Sequence, residues 1–180
     1  MLTDKQRKEL LDLARNSITA QLTGSQYETP QDELYKRRYG LFVSLHKDGD
    51  LRGCIGYIKA YKNITDSIVE MARAAAFRDP RFRPVKLEEL PKITIEISVL
   101  SPMEEVLETD EICVGKDGLY LEHPLSSGLL LPQVAVEWGW DKDEFLTQLC
   151  QKAGLPDKSW QDEGAKLYRF SAEIFREGFF

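Results

Sequence analysis

Long apolar runs are missing from this chain of 180 residues. Nothing approaches the roughly 20 apolar residues that a membrane-spanning helix needs. The N-terminus, Met1-Leu2-Thr3-Asp4-Lys5, has no apolar core of the kind a secretory signal carries, so the expected location is cytoplasmic. Cysteine is scarce: Cys54, Cys113 and Cys150 are too few and too scattered for a disulfide framework. There is no CxxC, and His46 and His123 are the only histidines, so no metal is expected. The glycine-rich phosphate signatures GxGxxG and GxxxxGK[ST] are absent, as are GxSxG and HExxH. P-loop hydrolysis, α/β-hydrolase chemistry and zincin chemistry all lack their signatures, and no cofactor is expected. A net charge of −6 argues against a general nucleic-acid binder. Yet Leu34–Lys92 holds 13 Lys/Arg against seven Asp/Glu, so an anion-seeking surface within an acidic protein is open alongside a scattering of these charges over several faces.

What is present predicts alternating helices and short strands. Thr3 and Gln6 form a capping box, and Leu10, Leu11, Ala14, Ile18 and Leu22 recur at helical spacing, which predicts a helix over 4–21. Residues 23–38 read as a long polar loop with a short helical turn. Leu41–Leu45 and Leu51–Ile58 flank Asp48-Gly49, a strong hairpin signal. Asn63 or Thr65 caps a helix through Ile64, Ile68, Met71, Ala72 and Ala75 that must stop near Asp79-Pro80. Ile93, Ile95, Ile97 and Val99 alternate with polar residues as a half-buried strand. Ile112–Val114, Leu119–Leu121 and Leu129–Leu131 read as short strands, Asp141 caps a further helix, and Leu167–Phe175 reads as one returning strand. The expected fold is α+β and two-lobed, with antiparallel sheets flanked by helices. Residues 1–180 form one domain, with a main lobe at 1–104 plus 164–180 and a smaller lobe at 105–163.

Leu51–Gly56, LRGCIG, is the segment richest in chemical possibility. Strand alternation puts Arg52, Cys54 and Gly56 on one face. Gly53 and Gly56 are costly in a strand unless a close approach requires them; they leave room beside the Cys54 sulfur, or simply admit a neighbouring helix. Arg52 is placed to favour a thiolate. A two-residue turn pairs His46 with Leu51 and so sets it opposite Cys54, whereas a three-residue loop would pair it with Arg52 and reverse this; two-residue loops are the commoner, which disfavours His46 as the base. His123 and Glu137 are the other proton-transfer candidates. Around the break after the second helix, Arg73, Arg78, Arg81 and Arg83 surround Asp79. Arg81 suits bidentate recognition of a carboxylate or phosphate, or an ion pair with Asp79 that only fixes the loop. Further on, Gln133 and Glu137 share a face if their segment is helical. Trp138 and Trp140 offer aromatic surface to a ligand or partner, or pack between the lobes.

Taken together, LRGCIG, Ala74–Phe82 (AAAFRDPRF), Ile97–Pro102 (ISVLSP), Gly128–Gln133 (GLLLPQ), Gly139–Asp141 (GWD) and Lys152–Pro156 (KAGLP) resemble the AmmeMemoRadiSam system protein A family, with its AMMECR-type domain. The resemblance covers nearly the whole chain. It implies a two-lobed α+β fold with a cleft near LRGCIG, and partnership with a Memo-like protein and a radical SAM protein. It assigns no reaction: Arg52, Gly53, Cys54, Gly56, Asp79, Arg81 and Gln133 inherit motif membership as ligand-binding or catalytic candidates. Two functional classes follow. One is a binding or adaptor component. The other is an enzyme or enzyme subunit with Cys54 as thiol nucleophile, an anionic substrate on Arg52 and Arg81, and His123 or Glu137 moving a proton.

Overall fold

A computed structural model describes residues 2–178. Thr3 caps helix α1 (Asp4–Thr23), its hydroxyl accepting the Gln6 N–H while the Gln6 side chain returns to the Thr3 backbone, and Gly24 closes the helix in the left-handed conformation. A 3-10 turn at Glu33–Lys36 interrupts the polar loop that follows. Strands β1 (Leu41–Lys47) and β2 (Asp50–Tyr57) form an antiparallel hairpin. Asp48 (φ 53°) and Gly49 (φ 92°) both have the positive φ that a tight two-residue hairpin turn requires. Asn63 caps helix α2 (Ile64–Phe77), and a 3-10 turn at Leu87–Lys92 leads into β3 (Ile93–Leu100), which pairs antiparallel with β1.

The chain divides into two compact units. The first holds residues 2–100 and 173–178, the second Ser101–Ala172. In the first unit the strand order is β2-β1-β3-β8, with β8 at Ala172–Arg176. Leu41, Val43, Leu45, Ile93, Ile95, Ile97 and Val99 line one face of this sheet and are buried with Leu10, Leu11 and Ile18 of α1 and Ile64, Ile68 and Ala75 of α2. Alternation therefore places Phe42, Ser44 and His46 on the face turned away from the helices.

In the second unit the order is β4-β7-β5-β6, from β4 (Glu104–Glu105), β5 (Gly118–Glu122), β6 (Ser127–Leu130) and β7 (Lys166–Phe170). Helices α3 (Pro132–Trp138) and α4 (Lys142–Lys152) complete it. Asp141 and Glu144 form the capping box of α4, and Phe145, Leu146, Leu149 and Cys150 pack on Leu119, Leu121 and Leu167 of the sheet. Helices account for α1 to α4 and the two antiparallel sheets for the strands, an α+β architecture. No helix among the described residues is long and apolar enough to cross a membrane.

Two expected strands are corrected. Residues 112–114 form no strand: they follow a 3-10 turn, and the Cys113 N–H is taken by the Asp117 carboxylate at 2.8 Å. Nor is Leu167–Phe175 one strand. It breaks at Ser171, whose N–H bonds the Ser101 hydroxyl (2.9 Å) and whose carbonyl accepts the Ser101 N–H (2.8 Å). On either side of that break β7 joins one sheet and β8 the other.

Candidate functional site: the clamped LRGCIG edge

β2 is an edge strand, so the peptide groups of alternate residues face no neighbouring strand. At Cys54 a side-chain pair stands in for that neighbour. The Asp79 carboxylate accepts the Cys54 N–H at 2.9 Å, and the Arg81 guanidinium donates to the Cys54 carbonyl at 3.2 Å. Asp79 and Arg81 are themselves joined through Nε to Oδ1 (3.0 Å) and Nη2 to Oδ2 (2.7 Å), and the Arg81 N–H also donates to Asp79 (3.1 Å). The loop after α2 thus supplies one acceptor and one donor to the open edge. Asp79 is 4% exposed. The Arg81 guanidinium, helped by the two N–H donors, holds its carboxyl far below the usual range against the opposing effect of burial.

The register shifts between Leu45 and His46: Leu45 faces Gly53, His46 faces Leu51, and Arg52 is the extra residue of a β-bulge. This corrects two expectations at once. His46 does pair with Leu51, yet it lies on the same face as Ser44, which pairs with Cys54; the bulge absorbs the residue that would have set them on opposite sides. Strict alternation from Cys54 to Arg52 is likewise lost. The Arg52 guanidinium donates to Glu89 through Nε and Nη2, both at 3.1 Å, and lies 6.0 Å from the Phe82 ring centre. Lys47 reaches the same Glu89 at 2.9 Å. Bonding to Arg52 first, then to the Lys86 N–H and to Lys47, brings the Glu89 carboxyl down to about 2. Arg81 lies 5.4 Å from the same Phe82 ring, so two guanidinium groups flank one aromatic side chain. Arg52 Nη1 is buried without a hydrogen-bond partner, as is His46 Nε2.

Cys54 is half-buried, and the Ser44 hydroxyl donates to its sulfur at 3.1 Å. Cys113 is exposed and Cys150 buried. Gly53 faces the helices: a Cβ there would stand 2.2 Å from the Ala75 carbonyl oxygen of α2. Gly56 is crowded by Phe42, whose ring would lie 2.3 Å from an added Cβ. Both glycines therefore permit close packing. Arg73 is engaged elsewhere, bonding the Ser17 carbonyl (3.3 Å) and the Tyr27 hydroxyl (3.1 Å) beside a hollow of about 480 Å³ at the end of α1.

Gln133, Glu137 and His123 belong to the second unit. His123 Nδ1 accepts the Leu125 N–H at 3.2 Å, which leaves the proton on Nε2, 3.2 Å from Asp162. With its side chain 7% exposed, it braces the turn between β5 and β6. Glu137 is exposed on α3, and Gln133 has a buried, unpartnered Oε1 one turn earlier. The structure therefore gathers Arg52, Cys54, Asp79 and Arg81 in the first unit. Ser44, Phe82 and Glu89 were not singled out from sequence. Ser44 was legible as a polar residue alternating with buried ones, whereas Glu89 carried no local sign of its tie to Arg52. Among the described residues no group of three or more His, Cys, Asp or Glu is placed to hold a metal ion.

An α+β chain with two antiparallel sheets and this clamped cysteine edge has close counterparts. Its sequence matches the AMMECR1 family over residues 11–175. It is 46% identical over 186 residues to a protein of Methanothermobacter thermautotrophicus, covering 98% of this chain and 96% of that one. It is 45% identical to a protein of Pyrococcus furiosus, covering 98% and 90%. The crystal structure of the uncharacterized protein PH0010 from Pyrococcus horikoshii superposes with a TM-score of 0.89 at 43% identity, covering 98% of this chain and 94% of that one. The chain belongs to the AMMECR1 family.

Proposed function

We propose that the chain is a binding or adaptor component, acting with a Memo-like protein and a radical SAM protein, and that the clamped LRGCIG edge is part of its recognition surface. One observation carries this reading. The charged groups around Cys54 are spent on holding backbone and one another: Asp79 and Arg81 fix both peptide groups of Cys54, and Glu89 holds Arg52 and Lys47. Such an arrangement makes a rigid, pre-shaped edge, which lowers the ordering cost of binding. Around that edge Leu51 and the outer part of Arg81 remain accessible to a partner.

The test is co-precipitation and complementation with Cys54→Ser and Arg81→Ala, each checked for folding by circular dichroism. Cys54→Ser is expected to retain partner binding and cellular function, and Arg81→Ala to lose them. Loss of function in a folded Cys54→Ser protein would overturn the reading.

The partial exposure of Cys54 and the Ser44 hydroxyl at its sulfur favour the second reading, a thiol nucleophile acting on an anionic substrate. Iodoacetamide separates the two. A binding edge predicts alkylation of exposed Cys113 ahead of Cys54, with Cys150 protected; preferential labelling of Cys54 at neutral pH would support the thiol.

A further inference from the structure

Trp138 is 71% exposed, an unusual position for the largest apolar side chain. Its place is nevertheless fixed. Trp140 packs against the core of the second unit, and Trp138 stacks on Trp140 with ring centres 6.2 Å apart and planes inclined by 15°. Gly139 makes this possible: in the left-handed conformation it ends α3 and returns the chain, with the Trp140 N–H bonded to the Ala135 carbonyl at 2.9 Å. An indole stacked on a half-buried one that packs against the core is a pre-ordered platform rather than a wandering surface side chain.

Along its own stretch of chain the platform carries more negative charge than positive. From Glu137 to Glu144 the chain carries four carboxylates, Glu137, Asp141, Asp143 and Glu144, all on exposed residues. The single cation in that stretch, Lys142, is paired with Asp110 at 2.7 Å. Asp141, Asp143 and Glu144 stand at the first turn of α4, whose positive end is worth only about half an elementary charge. The surplus is therefore negative. The face of an indole is also the negative side of its quadrupole, and tryptophan is the best of the aromatic side chains for holding a cation.

We propose that Trp138 and its flanking carboxylates form a docking site for a lysine- or arginine-bearing segment of a partner protein, with one cationic head over the Trp138 ring and its neighbours against Glu137 and Asp143. This site shares no residue with the LRGCIG edge. Charge complementarity selects the occupant: an acidic or apolar segment would meet repulsion or leave the carboxylates unpaired.

The test uses the whole chain and a fluorescein-labelled oligolysine peptide, followed by anisotropy, with oligoglutamate as control. Saturable binding to oligolysine alone is expected, weakening as salt rises from about 50 to about 300 mM because exposed charges are screened. Trp138→Ala should weaken binding about fivefold and Trp138→Phe by less, the scale of an exposed cation–π contact. Asp143→Lys leaves the ring in place and should weaken binding about as much. Equal oligolysine affinity in the wild type, Trp138→Ala and Asp143→Lys would overturn the proposal, as would equal binding of oligoglutamate. Concentration-dependent self-association lost in Trp138→Ala, without oligolysine binding, would assign the platform to a second copy of the chain instead.

Discussion

Asp79 and Arg81 act on the backbone of Cys54, so their energetics are coupled. Removing Arg81 leaves a carboxylate that is 4% exposed with only two N–H donors. Arg81 itself is half open to water, which discounts its own share of the ion pair. Asp79→Ala should cost about 2–3 kcal/mol, since it frees the strand edge and the guanidinium together. The double variant Asp79→Ala/Arg81→Ala should fall short of the summed single costs by about 1 kcal/mol or more. Urea denaturation of the four proteins checks this, and additive costs would mean that the pair does not act as one clamp. The sequence marked Asp79 and Arg81 as neighbours at a helix break and left ligand recognition and loop fixing both open. It did not show the third member, because a backbone N–H and carbonyl leave no trace in residue identity. The glycines were legible in kind: both permit close approach, Gly53 to the α2 backbone and Gly56 to Phe42.

At the scale of elements, capping chemistry and periodicity were reliable guides. Thr3, Asn63 and Asp141 start the helices that their sequence contexts predict, and Asp48-Gly49 turns the hairpin. What local pattern could not supply was the bulge at Arg52, which depends on how two strands and a packed helix meet across Gly53. The break of Leu167–Phe175 was hidden for a similar reason: Ser171 fits strand alternation, and only its exchange of bonds with Ser101 diverts the chain. The bulge's charged residue is tied to Glu89, and this tie depends on pH. The Glu89 carboxyl falls from an ordinary 4.5 to about 2 in the folded protein. A depressed carboxyl contributes stability that is complete above the unfolded value and is lost as pH falls towards the folded one. The contribution should therefore fade between pH 4.5 and about 2. Allowing for partial exposure it is about 1–2 kcal/mol. Glu89→Gln should flatten the decline of melting temperature in that window; an unchanged slope would place the acid sensitivity elsewhere, with Asp79 the next carboxylate to examine.

For the whole molecule, chain connectivity sets what can be separated from what. The second unit lies between two strands, β3 and β8, that are neighbours in the sheet of the first. Its two ends are held together by the bonds between Ser101 and Ser171. Removing residues 101–172 and joining Leu100 to Glu173 through a short glycine-containing turn would convert β3 and β8 into an ordinary hairpin, at the modest entropy of a small loop. The shortened protein is expected to keep the far-ultraviolet signature of a helix-backed sheet and to unfold cooperatively. A molten product would show that the first unit depends on the second. The paired serines are thus a suture: they close the neck of the inserted segment, and they mark where an engineer could exchange it without cutting the clamped cysteine edge.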